Sequence, residues 1–218
     1  METAKKTISR IRYNSPVILT YTLICIVALI ANYFTDGQVM QNLFCARNQG
    51  IESIYTYSGL ILHIFGHINY EHFFGNFTII LLVGPMLEEK YGSYRLLMMI
   101  MITAIITGLL HIIFFDTAIL GASGIAFMFI LLSSFTNYKK GEIPATFIII
   151  IILFAGQEIA DMVTKNDNVS QIAHLLGGTC GGLFGFILES RQNKIQDTEK
   201  NNDELKYNTD MEKDNDED

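Results

Sequence analysis

Gly121-Ala122-Ser123-Gly124 opens the apolar run 125–132, directly after the short polar break Phe115-Asp116-Thr117. A serine between glycines at the head of an apolar helix is unusual. The hydroxyl gains nothing from lipid, and the glycines weaken the helix. Two readings compete. Small residues let two membrane helices approach closely. Alternatively, the hydroxyl is a nucleophile whose own backbone N–H, at the positive end of a helix, helps to hold an oxyanion. Alone, the stretch favours packing; the residues elsewhere in the chain favour the nucleophile.

Working outward, half of the 218 residues are hydrophobic and the mean hydropathy is +0.32. Charges gather at the ends and in the loops, the pattern of an integral membrane protein rather than a soluble core. Apolar stretches of roughly 17–25 residues, long enough to cross a bilayer, fall at 16–34, 71–87, 94–115, 121–138, 143–160 and 170–188. The expected fold is therefore an all-α membrane protein with six transmembrane helices. Residues 1–15 form a basic cytoplasmic segment, 16–190 the six-span domain, and 191–218 a disordered acidic cytoplasmic tail. The first stretch is too long for a signal peptide and no small-residue cleavage site follows it, so it is retained as an anchor.

Lys5, Lys6, Arg10 and Arg12 precede the first span and place the N-terminus in the cytoplasm. Alternation then puts Lys90 with Arg95, Lys139 with Lys140, and Arg191 with Lys194 on the same side, leaving only Arg47 and Lys165 outside. Both termini are thus expected inside, in a multi-pass protein of a prokaryotic plasma membrane. The segment 35–70 between the first two spans holds too many apolar residues for a solvated loop. It is expected in the membrane interface, as short amphipathic or re-entrant helices. The net charge of −7 is mostly tail: from Arg191 onward five basic and ten acidic residues leave −5. No nucleic-acid partner is implied. Cys25, Cys45 and Cys180 make no disulfide framework.

Polar residues inside spans are costly and default to functional candidates. His72 and Asn76 lie near the start of the second span, Ser123 near the start of the fourth and His174 near the start of the sixth. In this topology all four are expected a few residues below the external surface. His72 and Asn76, four apart, share a helix face and make a pair of hydrogen-bond donors. Ser123 and His174 then supply the nucleophile and general base of an acyl-transfer site. No acidic third member is evident at that depth, which makes this a dyad. Gly177 and Gly181 follow His174 as a stripe of small residues, and Gly121 and Gly124 offer a matching low surface on the fourth span.

With these residues in hand, the chain resembles the rhomboid intramembrane serine proteases of the simple six-span bacterial form. Gly121-Ala122-Ser123-Gly124 matches the family's Gly-x-Ser-Gly, His72 and Asn76 its His-x-x-x-Asn, and Ala173, His174 and Gly177 its Ala-His-x-x-Gly. Glu88 and Gly92 match its Glu-x-x-x-Gly turn. The resemblance covers roughly 35–188 and implies a rhomboid-like bundle with a long membrane-associated loop between spans one and two. It makes Ser123 the nucleophile and His174 the base. The Ser123 N–H, His72 and Asn76 form the oxyanion hole with Gly121 beside them, and Gly124, Gly177 and Gly181 pack the helices. The implied substrates are transmembrane segments of other proteins that carry helix-destabilising residues, cut near the external face, with a small residue just before the cut. The chain has no tryptophan, so the Trp-Arg pair of many relatives' first external loop is absent.

His63, His67 and His72 invite a metal site, but the His-Glu-x-x-His order is missing and no metal or other cofactor is expected. A small transporter would need a polar route to the inner side, and the lower halves of spans two, four and six are almost purely aliphatic. The remaining alternative is a catalytically inactive rhomboid-like protein that binds client transmembrane helices. Such a protein is expected to lack Ser123 or His174.

Overall fold

The computed structural model describes residues 13–50, 52–136, 142–164 and 169–216. Lys5, Lys6, Arg10, Arg12, Lys139, Lys140 and Lys165, which carry much of the orientation argument, lie outside the described residues. The described chain is helical: α1 (Pro16–Phe34), α2 (Gln38–Asn42), α3 (Ile54–Leu62) with a 3₁₀ turn at His63–Phe65, α4 (Tyr70–Tyr91), α5 (Ser93–Phe114), α6 (Ser123–Ser133), α7 (Ala145–Thr164) and α8 (Val169–Asp216). Its only β pairing is a bridge between Ala46 and Ile119. Among the described residues, three helical stretches are long and apolar enough to cross a bilayer, Pro16–Phe34, Ser93–Phe114 and Gln171–Arg191. α4 has the length but is polar at both ends. α6 has 11 residues, about 16 Å of helix at 1.5 Å per residue, well short of the fourth stretch marked by hydropathy.

α6 is short because Gly121, at φ +133°, keeps the backbone out of the helix until Ser123. A hydrogen-bonded turn at residues 134–136 ends it. It is also the centre of the bundle. Ile125, Met128, Phe129 and Leu132 are fully buried, packed with Ile18 of α1, Phe77, Ile80 and Leu87 of α4 and Leu96 of α5. The outer helices leave Leu23, Val27, Ile30, Leu82, Ile152 and Leu183 exposed, an apolar girdle that suits lipid rather than water.

Polar side chains lock the end of the bundle away from Ser123. The buried Glu88 carboxylate accepts from Val17 N at 3.0 Å, Ile18 N at 3.1 Å and Ser93 Oγ at 2.7 Å. It thereby satisfies the open N–H groups of α1, which Pro16 begins. Gly92, at φ +83°, makes the turn into α5, a conformation that favours glycine. Lys90 donates to the Phe135 and Thr136 carbonyls at 2.7 and 2.9 Å and pairs with Glu189. The C-terminal end of α4, the C-terminal end of α6 and the middle of α8 are thus tied together, so their N-terminal parts lie together at the other end.

The segment between α1 and α4 folds onto that other end. Tyr21 of α1 donates to the Ile64 carbonyl at 2.8 Å, Ala46 and Ile119 exchange both backbone hydrogen bonds, and Gly121 N donates to the His63 carbonyl at 2.9 Å. The backbone of 191–216 continues α8 as helix. That stretch contains neither glycine nor proline, so nothing in it forces the helix to stop.

Candidate active site

Ser123 is the first residue of α6. The first N–H groups of a helix have no upstream carbonyl to bond within it, so those of Ser123 and Gly124 are open to an anion at the positive end of the helix. Ala122, just ahead, instead lends its carbonyl to Ile125 N and Ala126 N, at 3.0 and 2.9 Å. His72 and Asn76 reach this point from the first two turns of α4. A Cβ on Gly121 would lie 2.7 Å from His72 Cε1, 2.8 Å from His72 Nε2 and 3.9 Å from Asn76 Nδ2. Only glycine leaves room for that ring against the backbone that leads into Ser123. Asn69 caps α4, its Oδ1 accepting from His72 N at 2.8 Å, and so fixes the turn that carries the ring.

His174 comes from α8. Gly177 and Gly181 press α8 onto α6: a Cβ on Gly177 would lie 2.7 Å from the Gly124 carbonyl carbon and 2.8 Å from its Cα. One on Gly181 would lie 2.9 Å from the Met128 carbonyl carbon. Gly124 thus meets α8 one residue after Ser123. The His174 ring stacks on Phe127, with centroids 4.2 Å apart and planes 15° from parallel. Phe127 is four residues on from Ser123 and shares its helix face, so the imidazole sits on the face of α6 that bears the serine. Ser123 and His174 are both part-exposed.

Around these residues lies a second layer of histidines. His63 Nδ1 donates to the Gly59 carbonyl at 2.9 Å, and its Nε2 is 3.2 Å from Thr107 Oγ1. His67 Nε2 lies 3.3 Å from Asn76 Nδ2. Burial pushes both imidazoles from the usual 6.5 down to about 4. His111 Nε2 donates to the Thr117 carbonyl at 2.8 Å and steadies the loop that leads to Gly121.

The rhomboid domain model of known protein families matches residues 55–191. The chain belongs to the rhomboid family. Ser123, His174, His72, Asn76 and the four site glycines all fall inside the matched stretch. The chain is also 22% identical over 184 residues to the rhomboid protease GlpG of Haemophilus influenzae, an alignment covering 82% of this chain and 94% of that protein. Membership makes this a membrane protein of an intramembrane protease family.

As a rhomboid, the chain carries two features that the sequence motifs did not mark. Phe127, which stacks on the candidate base, is indistinguishable in sequence from the other apolar residues of α6. Its only signal is the four-residue spacing from Ser123. An apolar cavity of about 440 Å³ also lies between α6, α7 and α8, with His174 in its wall beside Leu131, Phe147 and Ile151.

Proposed function

We propose that this rhomboid is an active intramembrane serine endopeptidase, with Ser123 as nucleophile and His174 as general base. The observation that carries the reading is the seating of the α8 imidazole on Phe127, on the serine's face of α6, where Gly177 meets Gly124. The Ser123 N–H and the side chains of His72 and Asn76 serve as oxyanion donors, a role that fits their approach to Gly121. No feature of the site favours an inactive relative.

In this reading 16–190 is a six-span catalytic domain with both termini cytoplasmic, flanked by the basic segment 1–15 and the cytoplasmic tail 191–218. The short α6 begins below the external surface, and the irregular backbone 115–122 above it borders a water-filled cavity, the one setting in which non-helical backbone is tolerated at membrane depth. The segment 35–69 lies in the outer interface. Substrates are transmembrane segments with glycine, proline or polar residues near the external face, because a scissile bond within a stable helix is shielded by its own hydrogen bonds.

His174 takes the Ser123 proton as Oγ attacks the carbonyl, and the tetrahedral oxyanion forms against the three donors. Collapse expels the amine, protonated by His174, and leaves an acyl-enzyme. Water, deprotonated by the same imidazole, then releases the acid. Ser123→Ala should abolish cleavage of a transmembrane reporter in proteoliposomes while its thermal unfolding in detergent stays near wild type. Cleavage that survives this substitution rules the assignment out.

A further inference from the structure

The proposed mechanism makes no use of His67, yet both of its ring nitrogens have partners beside the site. It lies between the 3₁₀ turn and α4, fully buried, its ring held by Phe73, Phe77 and His72 with centroids 5.4, 5.7 and 5.3 Å away. Nε2 is 3.3 Å from Asn76 Nδ2 and Nδ1 is 3.3 Å from the Phe65 carbonyl oxygen.

An amide nitrogen can only donate and a carbonyl oxygen can only accept. Nε2 must therefore be bare and Nδ1 must carry the proton, so both contacts demand the same neutral tautomer. Asn76 Nδ2 has two N–H bonds. One is taken by His67, and the same nitrogen is the Asn76 atom nearest a Cβ built on Gly121, at 3.9 Å. The other N–H is thereby directed to the side where Gly121 leads into Ser123. Turned by half a rotation, the amide would keep its shape but set a carbonyl oxygen against both the His67 lone pair and the developing oxyanion.

We propose that His67 is a positioning residue for the oxyanion hole: its bare Nε2 selects the orientation of the Asn76 amide that presents N–H to the tetrahedral intermediate. This rests on the reading of Asn76 as an oxyanion donor. Burial supports it, since it holds the imidazole neutral, with its pKa down at about 4.

The test is a double-mutant cycle on cleavage of a fluorogenic transmembrane substrate in proteoliposomes. His67→Leu removes the acceptor and should lower kcat by about tenfold to ~10², up to the loss from removing one oxyanion donor, with little change in KM. His67→Gln, whose carbonyl oxygen can accept from Asn76, should recover most of that loss. In the Asn76→Ala background, His67→Leu should add nothing. Independent losses in the double variant, or a glutamine variant as slow as the leucine one, would overturn the proposal. An Asn76→Ala enzyme with unchanged kcat would instead remove the oxyanion reading beneath it. Should the leucine variant not fold, ¹⁵N-histidine solid-state spectra of the Ser123→Ala protein at pH 7, with His67→Gln to assign the signal, decide the matter. A proton on Nδ1 is expected, and one on Nε2 overturns it.

Discussion

Gly177→Ala should separate the fit of α8 on α6 from the stability of the bundle. The added methyl would lie 2.7 Å from the Gly124 carbonyl carbon and 2.8 Å from its Cα, where 3.4 Å is an ordinary contact. Those atoms are backbone and cannot rotate aside, and the Gly124 carbonyl oxygen lies closer still, so α6 and α8 must part by more than the ~0.7 Å that the carbon contacts alone require. Overpacking of this kind costs about 1–3 kcal/mol, while alanine in place of glycine returns roughly 1 kcal/mol of helix propensity. Net stability should therefore fall only modestly. Activity should fall further, because the opening lies between Ser123 and His174 and a displacement near 1 Å can cost ~10² in rate. Gly178→Ala is the control, since its methyl would meet Leu131 Cδ2 at 3.5 Å, an ordinary contact. Initial cleavage rates in proteoliposomes, read beside thermal unfolding in detergent, test the pair. A Gly177→Ala enzyme at wild-type rate, or a Gly178→Ala enzyme equally slow, would show that the α6–α8 contact at Gly124 does not set the rate.

Glu88→Ala should destabilise the protein by on the order of 3 kcal/mol, because it strands the Val17 and Ile18 N–H groups that the carboxylate now accepts. Glu88→Gln, which keeps an acceptor, should lose less; equal unfolding midpoints for all three proteins would contradict this. The buried His63 and His67 are held neutral, with folded-state pKa values of about 4 against the usual 6.5. Below about pH 6.5 the unfolded chain takes up protons that the folded one does not, so stability is full above 6.5 and declines as pH falls toward 4. At 1.36 kcal/mol per pKa unit each imidazole contributes at most on the order of 3 kcal/mol. Unfolding midpoints that stay flat between pH 7 and 4.5, or a slope no shallower in His67→Gln, would contradict the assignment.

Much of the helical layout was legible in the sequence because hydropathy reports length and burial directly. α1 has the bounds of the first apolar stretch, and α5 begins and ends within a residue of the third. Hydropathy could not see where α6 stops short, since both its start at Ser123, after the turn at Gly121, and its end at residues 134–136 are matters of backbone conformation within an apolar sequence. Polar composition says that a segment cannot build a core, not that its backbone cannot coil, and 191–216 continues α8 as helix.

At the site, spacing put Ser123, His174, His72 and Asn76 at one depth, because single polar residues stand out in apolar helices. The links that hold the site were invisible to it. The Ala46–Ile119 pairing and the Gly121–His63 hydrogen bond join residues far apart in sequence through backbone atoms, which carry no side-chain signal. His67 stood out in the sequence only through its spacing from His63 and His72. Its hydrogen bond to Asn76 depends on how the chain turns into α4.

If Ser123 is the nucleophile, the imidazole of α8 makes the hydroxyl at the head of α6 reactive. Treating the protein in detergent with a fluorophosphonate and mapping the adduct by peptide mass spectrometry tests this without any choice of substrate. One phosphonylated residue, Ser123, is expected, with loss of the adduct in His174→Ala. An unlabelled Ser123 in folded protein, or equal labelling without His174, would contradict it.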